Sequence, residues 1–377
     1  MTPPEFTIGI EEEYLLVDPE SRDLERDPPE ELIARISEVI GAGQVTPEFL
    51  RSQVEVGTKV CDTLSEAATE LAALRSAVAD IAHDHGLAPI AVSTHPFSSW
   101  REQLTTDKER YLALARDMRS VMQRLVICGM HVHVGVSDDD LRIDLMNQLA
   151  YFLPHILALS CSSPFWHGID TGLKSYRRSV FRAPPRTGLP EFFSDWSEYQ
   201  RHVNVLVETG CIEDASKLWW DIRPSVRYPT LEMRVADICT NLDDGLAVAA
   251  VFVCLLSMLY RRRLENQRWR SYARMLIDEN MWLAQRDGTS GELIDFGKSE
   301  RVVFPSLLEE IIEITAEDAD RLGCKEQVEH TRVILQRGTS ADRQLAVFEK
   351  AVADGADEPE ALNAVVDWAI SETLAGF

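Results

Sequence analysis

The chain is short of positive charge. Its 377 residues carry 38 Lys and Arg against 62 Asp and Glu, a formal net charge of −24. Phosphate backbones need a basic surface or stripe, so nucleic acid is excluded as the main partner. Docking on an anionic membrane is excluded for the same reason. Long apolar runs are also missing. The most apolar stretch, residues 246–260, has 15 residues, against the roughly 18–20 that span a bilayer. Asp243 and Asp244 precede it and Arg261, Arg262 and Arg263 follow, the charge order that suits a helix dipole. It is therefore expected to be a buried core helix. Residues 1–6 lack the basic start and apolar run of a secretion signal. Seven cysteines are scattered without a C-x-x-C pair, which points to a reduced, cytoplasmic protein. The phosphate-cradling loop G-x-x-x-x-G-K-[ST] is absent, as are internal repeats and low-complexity tracts.

What is present is ordinary globular material, 45% hydrophobic and 27% charged, long enough to bury a substantial core. Strand patterns cover residues 6–17, 51–61, 125–136, 222–227 and 230–238. Helical patterns cover 29–40, 65–85 with Ser65 as cap, and 107–125, and a helix of about 20 residues follows the caps at 137–140. Residues 161–193, rich in Pro, Gly, aromatics and Arg, read as a long structured loop, a common home for function. From Gly245 onward the chain reads as helix after helix, with nothing to suggest a site. The expectation is an α+β protein, one catalytic domain over 1–377, with a sheet-bearing part to about residue 240 and a mostly helical remainder.

Alternate residues on a strand face opposite sides, so each strand can be sorted by parity. In 6–17 the even positions Phe6, Ile8, Ile10, Tyr14 and Leu16 are apolar, and the odd ones include Gly9, Glu11 and Glu13. In 125–137, Val126, Cys128, Met130, Val132, Val134 and Val136 alternate with Gly129, His131, His133 and Gly135. Leu231, Met233 and Val235 alternate with Glu232 and Arg234; Val54 and Val56 alternate with Gln53, Glu55 and Gly57. If these strands share a sheet, Glu11, Glu13, Glu55, His131, His133, Glu232 and Arg234 gather on its polar face. Four carboxylates in one cleft raise one another's pKa, and divalent cations remove that difficulty. Oxygen-rich sites with few imidazoles suit Mg²⁺ or Mn²⁺ better than zinc. Glu11 and Glu13, roughly 6.5–7 Å apart on a strand, are spaced to serve two neighbouring ions. E-x-E, H-x-H or E-x-R alone is usually a solvated face or a local ion pair. Four strands repeating the pattern raise the odds of a metal-dependent site.

Three segments together resemble a known family. Gly9-Ile10-Glu11-Glu12-Glu13-Tyr14 resembles the G-I-E-x-E strand of glutamate–cysteine ligases. Gly129-Met130-His131-Val132-His133-Val134-Gly135 looks like the G-M-H-x-H strand of glutamine synthetases and their relatives. Leu231-Glu232-Met233-Arg234 with Asp237 resembles their late E-x-R strand. With Thr171–Arg177 and Pro185–Pro190, residues 5–375 are similar to the bacterial type-2 glutamate–cysteine ligases, or carboxylate–amine ligases. The resemblance implies a glutamine synthetase-like fold, a curved antiparallel sheet backed by helices. It implies an ATP-dependent ligase using two or more Mg²⁺ or Mn²⁺ ions. The reaction would join the γ-carboxylate of glutamate to the amine of cysteine through an acyl phosphate. By position, Glu11, His131 and Glu232 match ligands of the ion on the ATP phosphates, and Glu13 and Glu55 those of the ion on the acceptor carboxylate. His133, Arg223 and Arg227 match phosphate-facing residues, although the Arg223–Arg227 spacing is one residue shorter than the family's. Arg234 matches the arginine facing the transferred phosphoryl group. Arg177, Arg178, Arg182 and Arg186 are candidates for the substrate carboxylate. Small-molecule substrates and a homodimer are the implied partners. Two rival readings stand beside this one. A metal-dependent amide hydrolase would use the H-x-H strand but need further His ligands, where residues 240–377 offer only His330. A non-catalytic relative should have lost part of the acidic and His set.

Overall fold

The structure is a computed structural model describing residues 4–41 and 43–375. Seven strands form the main sheet: β1 (Ile8–Val17), β2 (Val45–Pro47), β3 (Gln53–Gly57), β4 (Ala88–Ile90), β5 (Met130–Gly135), β6 (Ile222–Pro224) and β7 (Thr230–Met233). Their order is β6-β7-β5-β1-β3-β2, with β4 paired to the end of β1, and every pair is antiparallel.

The alternation read in the sequence explains why the sheet has two unlike faces. Ile8, Ile10, Tyr14, Leu16, Val54, Val56, Met130, Val132, Val134, Leu231 and Met233 are all buried, and each such aliphatic side chain contributes about 1.5–3 kcal/mol. Helices Leu64–Asp84 and Leu242–Leu264 pack behind β1 and β5. The second has 23 residues and begins at Asn241, whose side chain accepts a hydrogen bond from the Asp243 amide. It is the one helix among the described residues long and apolar enough to cross a membrane, and 94% of its apolar window is buried inside the protein. Gly245 lets it approach the sheet closely, since a Cβ there would lie 3.4 Å from Met130 Sδ and 3.6 Å from Glu12 Oε1. One hydrophobic cluster runs from Phe6 to Ala369 through both the sheet-bearing and the helical parts.

Several boundaries differ from expectation. Ordered pairing in the strands read at 51–61, 125–136, 222–227 and 230–238 is shorter, and the flanks make single bridges instead, Ile8 to Cys61 and Gly129 to Asp237. The short strands β2 and β4 lack a period long enough to see. The helix after Thr63 starts at Leu64; Thr63, not Ser65, accepts from the Glu66 amide. The helix read at 107–125 breaks at Arg119, which has a positive φ of 44°. The one read after residue 140 divides into Asp139–Leu149 and Leu153–Ser160 around a 3₁₀ turn before Pro154. The helical remainder also contains a hairpin, Glu292–Asp295 with Glu300–Val303.

Candidate active site

Register places the polar side chains in rows across the open face. Glu11 stands opposite His131 and Gly9 opposite His133 on β5. His133 faces Glu232 on β7, and Glu232 faces Arg223 on β6. On the other side of β1, Glu13 is paired with Glu55. The sheet thus brings together Glu11, Glu13, Glu55, His131, His133 and Glu232, from positions up to 221 residues apart in the sequence.

Among the described residues, two groups of donor atoms are close enough to share a cation. Glu11, Glu55 and His131 form one; Glu13, Glu48 and Glu55 form the other; within each, the atoms lie within 4.8 Å of one another. Glu55 belongs to both. His131 Nδ1 is 3.1 Å from Glu11 Oε2, and its Nε2 is 3.8 Å from Glu13 Oε1. His133 Nε2 is buried 3.4 Å from Glu11 Oε1, without a well-aligned hydrogen bond among the described residues. Glu48 is absent from the sequence-level set. It enters from the connection between β2 and β3, where no strand parity applies, and β2 itself was not legible.

The electrostatics divide this face. Burial pushes the Glu13 carboxyl up to about 8, with Glu48 beside it adding to the rise. Burial also raises Glu55 well above the carboxylate range, helped by Glu48 and Glu11. Burial acts on Glu11 in the same sense, but the His131 and His133 rings overcome it and hold Glu11 well below the usual range. Burial and the Arg234 guanidinium lower His131 to about 4, so it is a neutral imidazole with a lone pair to offer. Against burial, Glu11 and Glu232 raise His133. The carboxylates Glu13, Glu48 and Glu55 therefore lack a protein cation sufficient to neutralise them. An oxygen-rich donor set with one neutral imidazole and excess negative charge fits Mg²⁺ or Mn²⁺.

Glu232 has a different environment. Arg223 donates to both of its oxygens at 2.9 and 3.0 Å, and Arg234 Nη1 donates at 2.5 Å. It lies in neither three-ligand group, so the expected trio of Glu11, His131 and Glu232 is not gathered as tightly as Glu11, His131 and Glu55. Arg223 also donates to the Ser216 and Leu218 carbonyls, which occupies its guanidinium with protein partners. Arg227 lies exposed at the tip of the β6–β7 hairpin. Of the loop arginines, Arg177 reaches this face: a Cβ on Gly129 would collide with its guanidinium, and its charge acts on Glu13. Asp237, fully buried, holds this segment by accepting from the Ser162 amide and the Ser163 and Ser175 hydroxyls. Arg178 is buried against Asp221 and Asp278, Arg182 pairs with Asp278, and Arg186 donates to the Lys217 carbonyl. All four are engaged by the protein itself, since Arg177 Nη2 donates to the Arg234 carbonyl at 3.3 Å and its Nη1 lies 3.9 Å from Asp237.

Comparison with known proteins agrees with this architecture. A model of glutamate–cysteine ligase family 2 matches residues 7–366. A protein of Rhodospirillum rubrum provisionally named glutamate–cysteine ligase 2 is 61% identical over 378 residues, covering 100% of this chain and 97% of its own. A Paracoccus denitrificans protein with the same provisional name is 50% identical, covering 98% of each. Among solved structures, a glutamate–cysteine ligase of Francisella tularensis in complex with AMP superimposes with a TM-score of 0.69 at 13% identity, covering 100% of this chain and 90% of that one. A bifunctional glutathione synthetase of Pasteurella multocida gives 0.71 at 13% identity, covering 98% and 52%. The fold is the expected α+β, glutamine synthetase-like one.

Proposed function

This chain belongs to glutamate–cysteine ligase family 2, and we propose that it is an ATP-dependent carboxylate–amine ligase joining the γ-carboxylate of glutamate to the amine of cysteine through an acyl phosphate. The observation that carries the reading is the pair of overlapping donor groups that share Glu55, with the charges of Arg177 and Arg234 both acting on Glu13. The nucleotide-bound ligase with the same fold supports a nucleotide substrate.

Glu11, Glu55 and His131 would hold one Mg²⁺ and Glu13, Glu48 and Glu55 a second, with Glu232 at the edge of the first. Bound magnesium supplies the positive charge that draws ATP phosphates and a substrate carboxylate onto an otherwise acidic face. The chain's own part is positioning and neutralisation, which dominate phosphoryl transfer. Arg234, whose Nε is buried without a partner, neutralises charge on the phosphoryl group as it moves to the carboxylate. His133, its Nε2 3.4 Å from Glu11 Oε1, faces the phosphates. Arg223 fixes Glu232 from behind. Arg177 orients the acceptor at the Glu13 end. The amine then attacks the acyl phosphate and phosphate leaves.

The test is ADP release across carboxylate and amine panels with Mg²⁺ or Mn²⁺. Release should require both substrates and fall by about 100-fold or more in Glu11→Gln, in line with loss of a transition-state charge contact. ATP-independent amide hydrolysis, or no ADP with any pair of substrates, would sink the proposal.

A further inference from the structure

The two donor groups on the open face are held in place by different means. Glu11, Glu55 and His131 stand on the paired strands β1, β3 and β5, where the register of the ladder fixes each side chain. Glu13 is fixed in the same way, opposite Glu55. Glu48 stands off the sheet, one residue beyond the end of β2, in the connection 48–52 that leads to β3. A connection has no ladder of its own to aim a carboxylate, so something else must hold it.

Residues 104–111, which lead into the helix Glu109–Met118, run alongside and meet that connection residue by residue. The Thr106 hydroxyl donates to the Glu48 carbonyl at 2.6 Å, and the Thr106 amide donates to the Phe49 carbonyl at 2.9 Å. The Arg51 amide donates to the Leu104 carbonyl at 2.9 Å, and Leu50 bridges Thr105. The Tyr111 hydroxyl donates to the Pro47 carbonyl at 3.3 Å, and its ring meets Phe49 edge-on at 5.8 Å. Phe49 and Leu50 are buried in the main hydrophobic cluster. Every residue from Pro47 to Arg51 is therefore in contact with this strap. The Glu48 carboxylate is aimed by the same arrangement. Its Oε2 accepts from the Phe49 amide at 2.9 Å, and the carbonyls on both sides of that amide are the two that Thr106 holds. One oxygen is thereby tethered, and the carboxylate lies within reach of Glu13 and Glu55. Glu11 and His131 take their places from the pairing of β1 with β5 instead.

We infer that the strap 104–111 assembles the second cation site, with Thr106 as a positioning residue that acts through Glu48. The first site is built by the sheet, so the two are separable: loosening the strap weakens one ion and spares the other. This deepens the two-cation reading of the open face and does not depend on which substrates are joined.

Mn²⁺ is titrated into the metal-free protein without substrates, and the free ion is followed by its paramagnetic resonance signal. The wild type is compared with Thr106→Val, Thr106→Ser and Thr209→Val. Thr209, at the end of the helix Trp196–Glu208, makes a hydroxyl-to-carbonyl bond of the same kind, to Val205 at 2.7 Å. The wild type should bind two ions. In Thr106→Val one dissociation constant should rise about 10-fold or more, the usual effect of removing a group that orients a metal ligand. The other should stay within about twofold. Thr106→Ser, which keeps the hydroxyl, and Thr209→Val should match the wild type. Equal weakening of both ions, no change, weakening that persists in Thr106→Ser or arises in Thr209→Val, or fewer than two ions in the wild type would overturn the inference. If Thr106→Val lacks a cooperative urea transition, Tyr111→Phe takes its place and should weaken the same single ion about threefold; an unchanged titration then overturns the inference. No turnover is read, so a protein that binds two ions yet releases no ADP would sink the ligase reading and leave this result standing.

Discussion

Three consecutive glutamates on β1 have opposite fates. Glu12 points into the core, is fully buried and meets Arg75, which donates to its two oxygens at 2.7 Å each. The same guanidinium donates to the Thr240 and Cys239 carbonyls, and Tyr14 Oη donates to Glu12 at 2.5 Å. Glu11 and Glu13 point the other way, toward more carboxylates. One face has its charge balanced by the protein; the other is left with an excess. A buried carboxylate matched by one guanidinium is a structural element, whereas carboxylates left in deficit create demand for a cation from solution.

Breaking the balanced face should have the largest effect. Arg75→Met leaves Glu12 charged and buried, which costs about 3–5 kcal/mol, read from urea unfolding. Glu12→Leu combined with Arg75→Met should recover most of that loss, because an apolar pair of similar volume is tolerated where half an ion pair is not. If the double variant is no more stable than Arg75→Met, the balanced-face argument fails.

On the open face the sign reverses. Glu13→Gln removes one of the repelling carboxyls, so the metal-free protein should gain on the order of 2 kcal/mol at pH 8. The thermal shift produced by Mg²⁺ should shrink at the same time. A metal-free protein destabilised by Glu13→Gln would show that this face is not in deficit.

The pH dependence sharpens the contrast further. Glu13 holds its proton to about pH 8 in the fold against 4.5 as its ordinary value. Between those values the folded protein binds the extra proton, so stability falls as pH rises. His95 and His155, lowered to about 4 by burial, act oppositely and lose stability as pH falls below 6.5. From pH 6.5 to 8.5 the glutamate contribution should dominate. The melting temperature should decline in chelator and stay level in Mg²⁺; a flat profile in chelator would count against the deficit.

The narrowest comparison is Gly129→Ala. The new methyl collides with the buried Arg177 guanidinium and shifts it on the open face, so the midpoint should fall by about 1–3 kcal/mol, as for other overpacked sites. Activity should fall by about 10-fold or more. A loss confined to stability would remove Arg177 from the acceptor end.

Much of this was readable before any coordinates. Alternation alone places Glu11, Glu13, His131, His133, Glu232 and Arg234 opposite an apolar face, because strand geometry leaves a side chain two choices and burial selects one. Parity also puts Glu12 among apolar neighbours, but nothing near it in sequence says what neutralises it. Glu48 comes from a connection with no period. Among four clustered loop arginines, only packing shows that Arg177 lies against Gly129 on the open face while Arg178, Arg182 and Arg186 pair elsewhere.

The amino-acid order by itself settled the chemistry available to each strand face, since that depends on neighbours one and two residues away. The tertiary structure decided which charges are cancelled. Glu12 and Arg75 lie 63 residues apart, and Arg75 and Thr240 lie 165 apart. Electrostatic balance is a property of distances in space, and chain closure over such separations leaves no local periodic mark.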